Sequence, residues 1–507
     1  MFVYDYLFRS TERFPDKEFL IHGNERHTYS EIFDASLTLA KWLLSTDIHS
    51  NFRACILTDS PLEYITSYFA ILIAGGIAVG LNTQTSERTL KTILNDCKPT
   101  VLFANSKYRK YIERISDSVQ SLTNIVLSGP KIDLPSDEST SWHDRNQIVE
   151  LPPSDNFQPP TIDTASIAQI IYTSGTTGNP KGVMLRHSNL IANTNSIVEY
   201  LQLADTDRVM AVLPFFYSYG NSVLLTHIAA GGSMVVNQNF LYPNVILDEM
   251  VRENVTGFSG VPSTYAILLN RSAIRQYQFP KLRYVTQAGA AMSPKLVHQL
   301  KEIMPTTDIF IMYGQTEAAA RLSYLDPKEI YRKAGSIGMA IPGVTLQLLD
   351  RQGKPVPPGD VGEIVAQGDN IMFGYWEKPE ETAKVLRSGC LHTSDLAKMD
   401  EEGFLYIVSR KDDMIKSGSH RIAPKEIEEI ILEHDAVYEV AVVGMEDDIL
   451  GESIRACIVL KTENPCNAKE IILHCRRNLP AYKIPHQITF YDELPKTATG
   501  KICKGKL

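Results

Sequence analysis

The chain reads as an α/β protein with a small, differently textured C-terminal part, and three stretches carry that prediction. From about Tyr29 to Ile341, helical patterns alternate with short apolar runs such as Ala54–Leu57, Thr100–Phe103, Ser233–Val236 and Tyr284–Thr286. That alternation implies α/β layers around largely parallel sheets. From Gly343 to Val408 the runs VTLQLLD, EIVAQG and FLYIVSR are joined by Gly/Pro turns and read as a small antiparallel β unit. After Arg410 come a helix at Pro424–His434, strands at Val437–Val443 and Ile454–Leu460, and a helix at Ala468–Asn478, a compact α+β module. The boundary is expected in the charged stretch Arg410–Asp413, which divides the chain into residues 1–411, with the β unit at about 343–408, and residues 412–507.

At 507 residues and 44% hydrophobic composition, the chain exceeds what one core normally sustains, so two or more domains are expected. Fifty basic against 59 acidic residues give a net charge of −9, which argues against nucleic acid as the main partner and against general attraction to an anionic membrane. The seven cysteines are odd in number and contain no C-x-x-C pair, so neither a disulfide framework nor a zinc site is suggested. The longest apolar run, Ala70–Leu81, is interrupted by glycines and reads as a buried helix turning into a strand. No stable membrane insertion is expected, and the cytoplasm is the expected compartment. The stretch Pro130–Pro160, rich in proline and polar residues, reads as a surface connection.

The most informative segment is Tyr172–Gly182, YTSGTTGNPKG, which follows the largely apolar run Ile167–Ile171. It packs five hydroxyl side chains, three glycines and one lysine into eleven residues. Glycines let backbone N–H groups crowd around an anion, while Thr173, Ser174, Thr176 and Thr177 add donors and Lys181 adds charge. An ATP triphosphate is the natural guest. The spacing is not that of a Walker A loop, because Pro180 stands where glycine would be needed. Val183–Leu185 continue as a strand, with Ser188 expected as the first helix cap.

Four further clusters follow in order: YGQTE at Tyr313–Glu317, HTSD at His392–Asp395, SRKDDMIKSGSHRIAPKEIE at Ser409–Glu428, and PKTATGK at Pro495–Lys501. Together with the loop they resemble the adenylate-forming superfamily, which comprises acyl-CoA synthetases, nonribosomal adenylation domains and beetle luciferases. The acyl-CoA synthetase branch is the nearest pattern, and the resemblance spans essentially the whole chain. It implies two doubly wound α/β subdomains plus a small β-barrel-like unit, followed by a C-terminal α+β domain on a hinge. It also implies ATP, Mg²⁺ and CoA, used to make an acyl-AMP from a carboxylic acid and then a thioester.

The resemblance assigns roles to individual residues. Lys501 would bridge the attacking carboxylate and the α-phosphate, Glu317 would hold Mg²⁺ and Thr316 would touch phosphate. Thr173, Ser174, Gly175, Thr176, Thr177, Gly178 and Lys181 would grip the phosphates. Tyr313, Gly314 and the Gly289 backbone would hold adenine, with Asp395 and Arg410 on the ribose. Asp412 would be the hinge, and Ser417 and Gly418 would line the pantetheine tunnel, where a Cβ at Gly418 would narrow the passage. Three positions depart from the common pattern: Ser394 and Ser409 replace glycines, and Tyr217 stands where histidine is frequent.

LPFFYSYGNS at Leu213–Ser222 is expected to wall the acyl pocket, with Phe216, Tyr217, Tyr219, Gly220, Asn221, Thr264 and Ala288 as lining residues. The stretch holds no aspartate to pair a substrate ammonium, which disfavours an α-amino acid and favours a fatty or aryl acid. Free CoA is the first choice of acceptor and the phosphopantetheine of a carrier protein the second. A monomer or homodimer is expected. A luciferase-type oxidase and a non-catalytic nucleotide sensor are the competing classes.

Overall fold

The computed structural model describes residues 1–507 apart from 47, 50, 131, 133, 136–139, 151–156, 174–179, 412, 418–419, 448–449, 462–465 and 497–501. Among the described residues the strands assemble into four sheets. A nine-stranded sheet is parallel through Asp308–Tyr313, Tyr284–Gln287, Gly257–Gly260, Arg208–Ala211, Ser233–Val236 and Glu18–His22, with antiparallel strands at both edges. An eight-stranded sheet is parallel from Ile167–Thr173 through Ile77–Gly80, Arg53–Leu57, Val101–Asn105 and Asn124–Ser128 to Ser141–Asp144.

The period-two pattern of these strands explains how the sheets pack. Leu20, Val209, Ala211, Ala54 and Ile56 face one shared core, whereas Ile21, Met210, Cys55 and Leu57 face the opposite sides of their sheets. The shared core is completed by the helices Tyr29–Ser45, Pro61–Ile73, His187–Leu201 and Ser218–Ala230. Burying apolar surface on both faces of each sheet is what the continuous apolar runs in the sequence require. The antiparallel unit follows, built on Val344–Leu349, Val361–Gly368, Cys390–Met399 and Leu405–Arg410. A C-terminal sheet with the helices Pro424–Leu432 and Ala468–Asn478 closes the chain around its own core. This is the architecture that the resemblance implies.

Two local readings change. Helix His187–Leu201 begins one residue before the expected cap: Arg186 takes the cap position, and its N–H donates to Asn189 Oδ1 at 2.9 Å. The stretch around 130–160 is more than a surface connection. Ser141–Asp144 adds an edge strand, and the buried Arg145 donates to Ser67 Oγ at 3.0 Å and to Thr66 Oγ1. Four residues, of which only Trp142 is apolar, are too few to show a period, so neither the strand nor the arginine's burial was visible locally.

Asp207 fastens the nine-stranded sheet. It accepts from Ala204 N–H, Thr256 Oγ1 and Arg283 Nη2. Burial alone would raise its carboxyl, and these bonds outweigh burial and hold it below the usual range. His227 and His187 are buried and neutral. His227 lies between Val223 O and Tyr284 Oη, and His187 Nδ1 accepts from Val3 N–H at 3.2 Å. Burial lowers each from 6.5 to about 4. Between those values the unfolded chain binds more protons, so stability is present above pH 6.5 and is lost as pH falls toward 4. Denaturant unfolding at pH 7 and pH 5 should therefore show a loss of about 2 kcal/mol per histidine. His227→Gln should remove its share, and an unchanged pH slope in that variant would contradict the assignment.

Candidate active site

The end expected to take the nucleotide is built where neighbouring parallel strands stop. Strand Asp308–Tyr313 runs beside Tyr284–Gln287, and past their C-terminal ends lie Gly314 and Gly289, the edge at which open α/β sheets bind ligands. Gly314 must be glycine, because a Cβ there would sit 2.0 Å from Ala320 O; Gly289 takes φ +93°. Tyr313 Oη donates to Asp395 Oδ2 at 2.6 Å, and Arg410 Nε donates to Asp395 Oδ1 at 3.1 Å. Asp395 and Arg410 face each other across the antiparallel pair, so the register of the β unit brings the two charges together. Burial and then the Asp395 charge push the Tyr313 phenol well above its usual value. Ser394, just before the aspartate, has φ +61°, which explains why glycine is the usual residue there. Its N–H is held by Glu363 Oε1 at 3.1 Å.

Gly289, Tyr313, Gly314, Asp395 and Arg410 line a cavity of about 250 Å³, which Lys425, Glu428 and Lys504 of the C-terminal part also line. Lys425 Nζ also reaches across to Ile407 O at 2.8 Å, and Lys504 pairs with Glu428 at 2.6 Å.

The end expected to take the phosphates begins with the hairpin of Ile167–Thr173 and Lys181–Arg186. Of the residues expected to grip phosphate, Thr173 and Lys181 end its two strands. Ser174, Gly175, Thr176, Thr177 and Gly178 lie outside the described residues, as do Asp412, Gly418 and Lys501. Ser417 is buried at the end of strand Ile415–Ser417, opposite Gly451. Thr316 Oγ1 and Ser218 Oγ are 3.3 Å apart.

Two residues not anticipated from sequence organise this end. Tyr375 Oη donates to Glu317 Oε1 at 2.8 Å, and the Lys181 ammonium lies 5.3 Å from the centre of the Tyr375 ring. Glu381 takes Lys181 at 2.8 Å and Lys384 at 2.5 Å, and these two bonds, Lys181 first, hold its carboxyl down at about 2. Tyr375 thus stands between the loop lysine and the carboxylate proposed for the metal. In sequence, Glu380-Glu381 after Pro379 reads only as an acidic first helical turn.

A second cavity of about 760 Å³ opens on the other side of Gly289 and Thr316, which line it too. Phe216, Tyr217, Tyr219, Gly220 and Thr264 line it as expected from sequence, together with Tyr64, Asn82 and Tyr108 from the first 110 residues. Asn221 and Ala288 do not: both are buried off the cavity, with Asn221 Nδ2 on Gln169 Oε1 at 2.9 Å. Gly220 is required by packing as well, since a Cβ would meet Pro214 O at 2.1 Å.

The site's donors suit nucleotide and Mg²⁺. Gln315 Nε2 is buried without a partner among the described residues, beside Thr316 and Glu317, and so has a hydrogen bond to give. No cluster of three or more metal-binding side chains occurs among the described residues, and a single positioned carboxylate is how Mg²⁺ is held when phosphates supply its other ligands.

Comparison with known proteins agrees. The AMP-binding enzyme family matches residues 7–376, and the AMP-binding enzyme C-terminal domain matches residues 426–501. The chain is 32% identical to the long-chain-fatty-acid–CoA ligase of Bacillus subtilis (strain 168), over 98% of this chain and 92% of that protein. Its fold matches the crystal structure of the anthranilate CoA ligase AuaEII in complex with anthranoyl-AMP, with a TM-score of 0.92 at 28% identity, covering 100% of this chain and 96% of the other. It also matches o-succinylbenzoate coenzyme A synthetase from Bacillus subtilis in complex with ATP and magnesium ion, with a TM-score of 0.84 at 28% identity over 99% and 98% of the two chains. The chain belongs to the AMP-binding enzyme family, as an AMP-forming acid–thiol ligase that uses ATP, Mg²⁺ and CoA and activates a carboxylic acid as its acyl-adenylate.

Proposed function

We propose that the enzyme activates a fatty or aryl carboxylic acid held in the 760 Å³ cavity, with the nucleoside held against Asp395, Tyr313 and Arg410. The observation that carries this reading is Gly289 and Thr316 lining the acyl cavity while Gly289 also lines the nucleoside cavity, so the two ends of an acyl-adenylate have adjoining homes. Among the described residues, no lysine or arginine lines the acyl cavity, which argues against a dicarboxylic acid, and none offers a free carboxylate for a substrate ammonium. Among the described residues, no helix is long and apolar enough to cross a membrane. We place the reaction in the cytoplasm, carried out by a monomer or homodimer, with free CoA preferred over a carrier protein.

In the first step a carboxylate oxygen attacks the α-phosphorus and pyrophosphate leaves. Two anions must approach, so fixed positive charge is needed where they meet. Lys501 supplies it between carboxylate and phosphate, and Lys181, released from Glu381 by the incoming triphosphate, supplies it farther out. Glu317, oriented by Tyr375, would hold Mg²⁺, which when bound neutralises phosphate charge. The Asp395 carboxylate would accept both ribose hydroxyls, with Arg410 fixing it. In the second step the thiol sulfur attacks the acyl carbonyl and AMP leaves. For this we assign the division at residues 411 and 412, a hinge at Asp412, and Ser417 and Gly418 to the thiol passage.

Lys501→Ala should abolish acyl-AMP formation while largely sparing thioester formation from supplied acyl-AMP. Equal loss in both half-reactions would contradict the division of labour. Tyr375→Phe should lower kcat/KM for ATP by about 10–100-fold, the scale for losing a group that orients a metal ligand. Raising Mg²⁺ should recover part of that loss, and insensitivity to Mg²⁺ would separate Tyr375 from the metal.

A further inference from the structure

Four tyrosines line the acyl cavity, and three of their hydroxyls are committed to the protein. Tyr64 Oη donates to Phe215 O at 3.1 Å, Tyr219 Oη to Thr286 O at 2.9 Å, and Tyr108 Oη to Asp59 Oδ2 at 3.0 Å. Tyr217 differs. Its Oη accepts from Asn82 Nδ2 at 3.2 Å and, among the described residues, donates to no protein group. The Asn82 amide is not free to turn over and reverse that bond. Its Oδ1 accepts the Gln84 N–H at 2.9 Å, which leaves Nδ2 to face Tyr217. With an N–H on one side of the phenol oxygen, the phenol's own hydrogen is driven to the other side. Phe216 packs on the Tyr217 ring at 4.5 Å between centroids and steadies its direction. Burial pushes the phenol up to about 12, so at neutral pH it remains a donor.

The rest of the lining decides what kind of acceptor fits. Among the described residues, no lysine or arginine lines the cavity. Asp59, its one acidic lining residue, is already matched by Lys107 and Tyr108. His22 is the only lining side chain among the described residues that can carry positive charge, so a charged acceptor would find no permanently charged counter-ion. A plain hydrocarbon would displace water from Tyr217 and leave the donor unpaired, which is the situation in which a polar site rejects an analogue lacking its oxygen.

We infer that Tyr217 is a specificity-determining donor, and that the acid this enzyme activates carries a neutral oxygen acceptor (a hydroxyl, ether or carbonyl) on its acyl part. The inference rests on the larger cavity being the acyl site. Asn82 is then the residue that aims the donor.

The test is acid-dependent exchange of labelled pyrophosphate into ATP, using acids in matched pairs. The probes are arylpropenoic acids with and without a hydroxyl or methoxy group at successive ring positions, and fatty acids with and without a hydroxyl or keto group along the chain. For the best-placed oxygen, kcat/KM should exceed that of its plain partner by about tenfold or more, the worth of one buried hydrogen bond. That ratio should fall to about one in Tyr217→Phe. It should also fall in Asn82→Ala, where the hydroxyl is free to rotate away. A ratio near one for every pair in the wild type overturns the inference, as does a ratio that survives both substitutions. A Tyr217→Phe protein that binds AMP but activates no acid would put Tyr217 in the chemistry instead of selection, and overturns it too. Absence of exchange with every acid would overturn the acyl-site reading itself, and the inference with it.

Discussion

One carboxylate gripped from two sides holds this site together. Asp395 lies on the antiparallel β unit, and Tyr313, which donates to it, ends a strand of the nine-stranded sheet. That single bond therefore crosses between two sheets, while Arg410 secures the other carboxylate oxygen from the neighbouring strand. The cavity of about 250 Å³ lies where the two meet, lined by Asp395 and Arg410 from the β unit and by Tyr313 from the sheet. The left-handed backbone at Ser394 is part of the same constraint. It turns the chain so that the next side chain points at Tyr313, and Glu363 compensates by holding the Ser394 N–H.

Charge at the phosphate end is arranged so that little has to be created on binding. Lys181 rests on Glu381, which it shares with Lys384, and Tyr375 connects this group to Glu317 through its ring and its hydroxyl. A triphosphate that draws Lys181 away leaves Glu381 still paired with Lys384, so no carboxylate is stranded. The acyl side has the opposite character. It is large and lined by tyrosine hydroxyls and amides, and its acidic lining residue among those described, Asp59, is already paired with Lys107. With the proposed acid held there, selection would depend on shape and on where neutral donors point.

Much of this was legible in the sequence because the chemistry demands clustering. A phosphate grip needs glycines, hydroxyls and a lysine close together, YGQTE begins at the last residue of the strand Asp308–Tyr313, and HTSD lies within the strand Cys390–Met399, where one side chain or two define the motif. The strands Ser233–Val236 and the helix Ala468–Asn478 were equally plain, since apolar period sets them. What could not be read depended on partners distant in sequence. Tyr375 matters through Glu317, 58 residues earlier, and Asn82 through Tyr217, 135 residues later. Asn221 looked like a pocket residue because its neighbours are, but the helical turn carries it inward to Gln169. Ser141–Asp144 is a strand by virtue of the edge it joins, and nothing in Ser-Trp-His-Asp announces that edge.

The most direct measurement is pyrophosphate–ATP exchange, run with ATP and with its 2′,3′-dideoxy analogue, in the presence and absence of a panel of fatty and aryl acids. Exchange that requires an acid, and that collapses when the ribose hydroxyls are removed, is the predicted result: an acyl-adenylate formed with its sugar on Asp395. Exchange without any acid, or exchange that proceeds equally well with the dideoxy nucleotide, would contradict it.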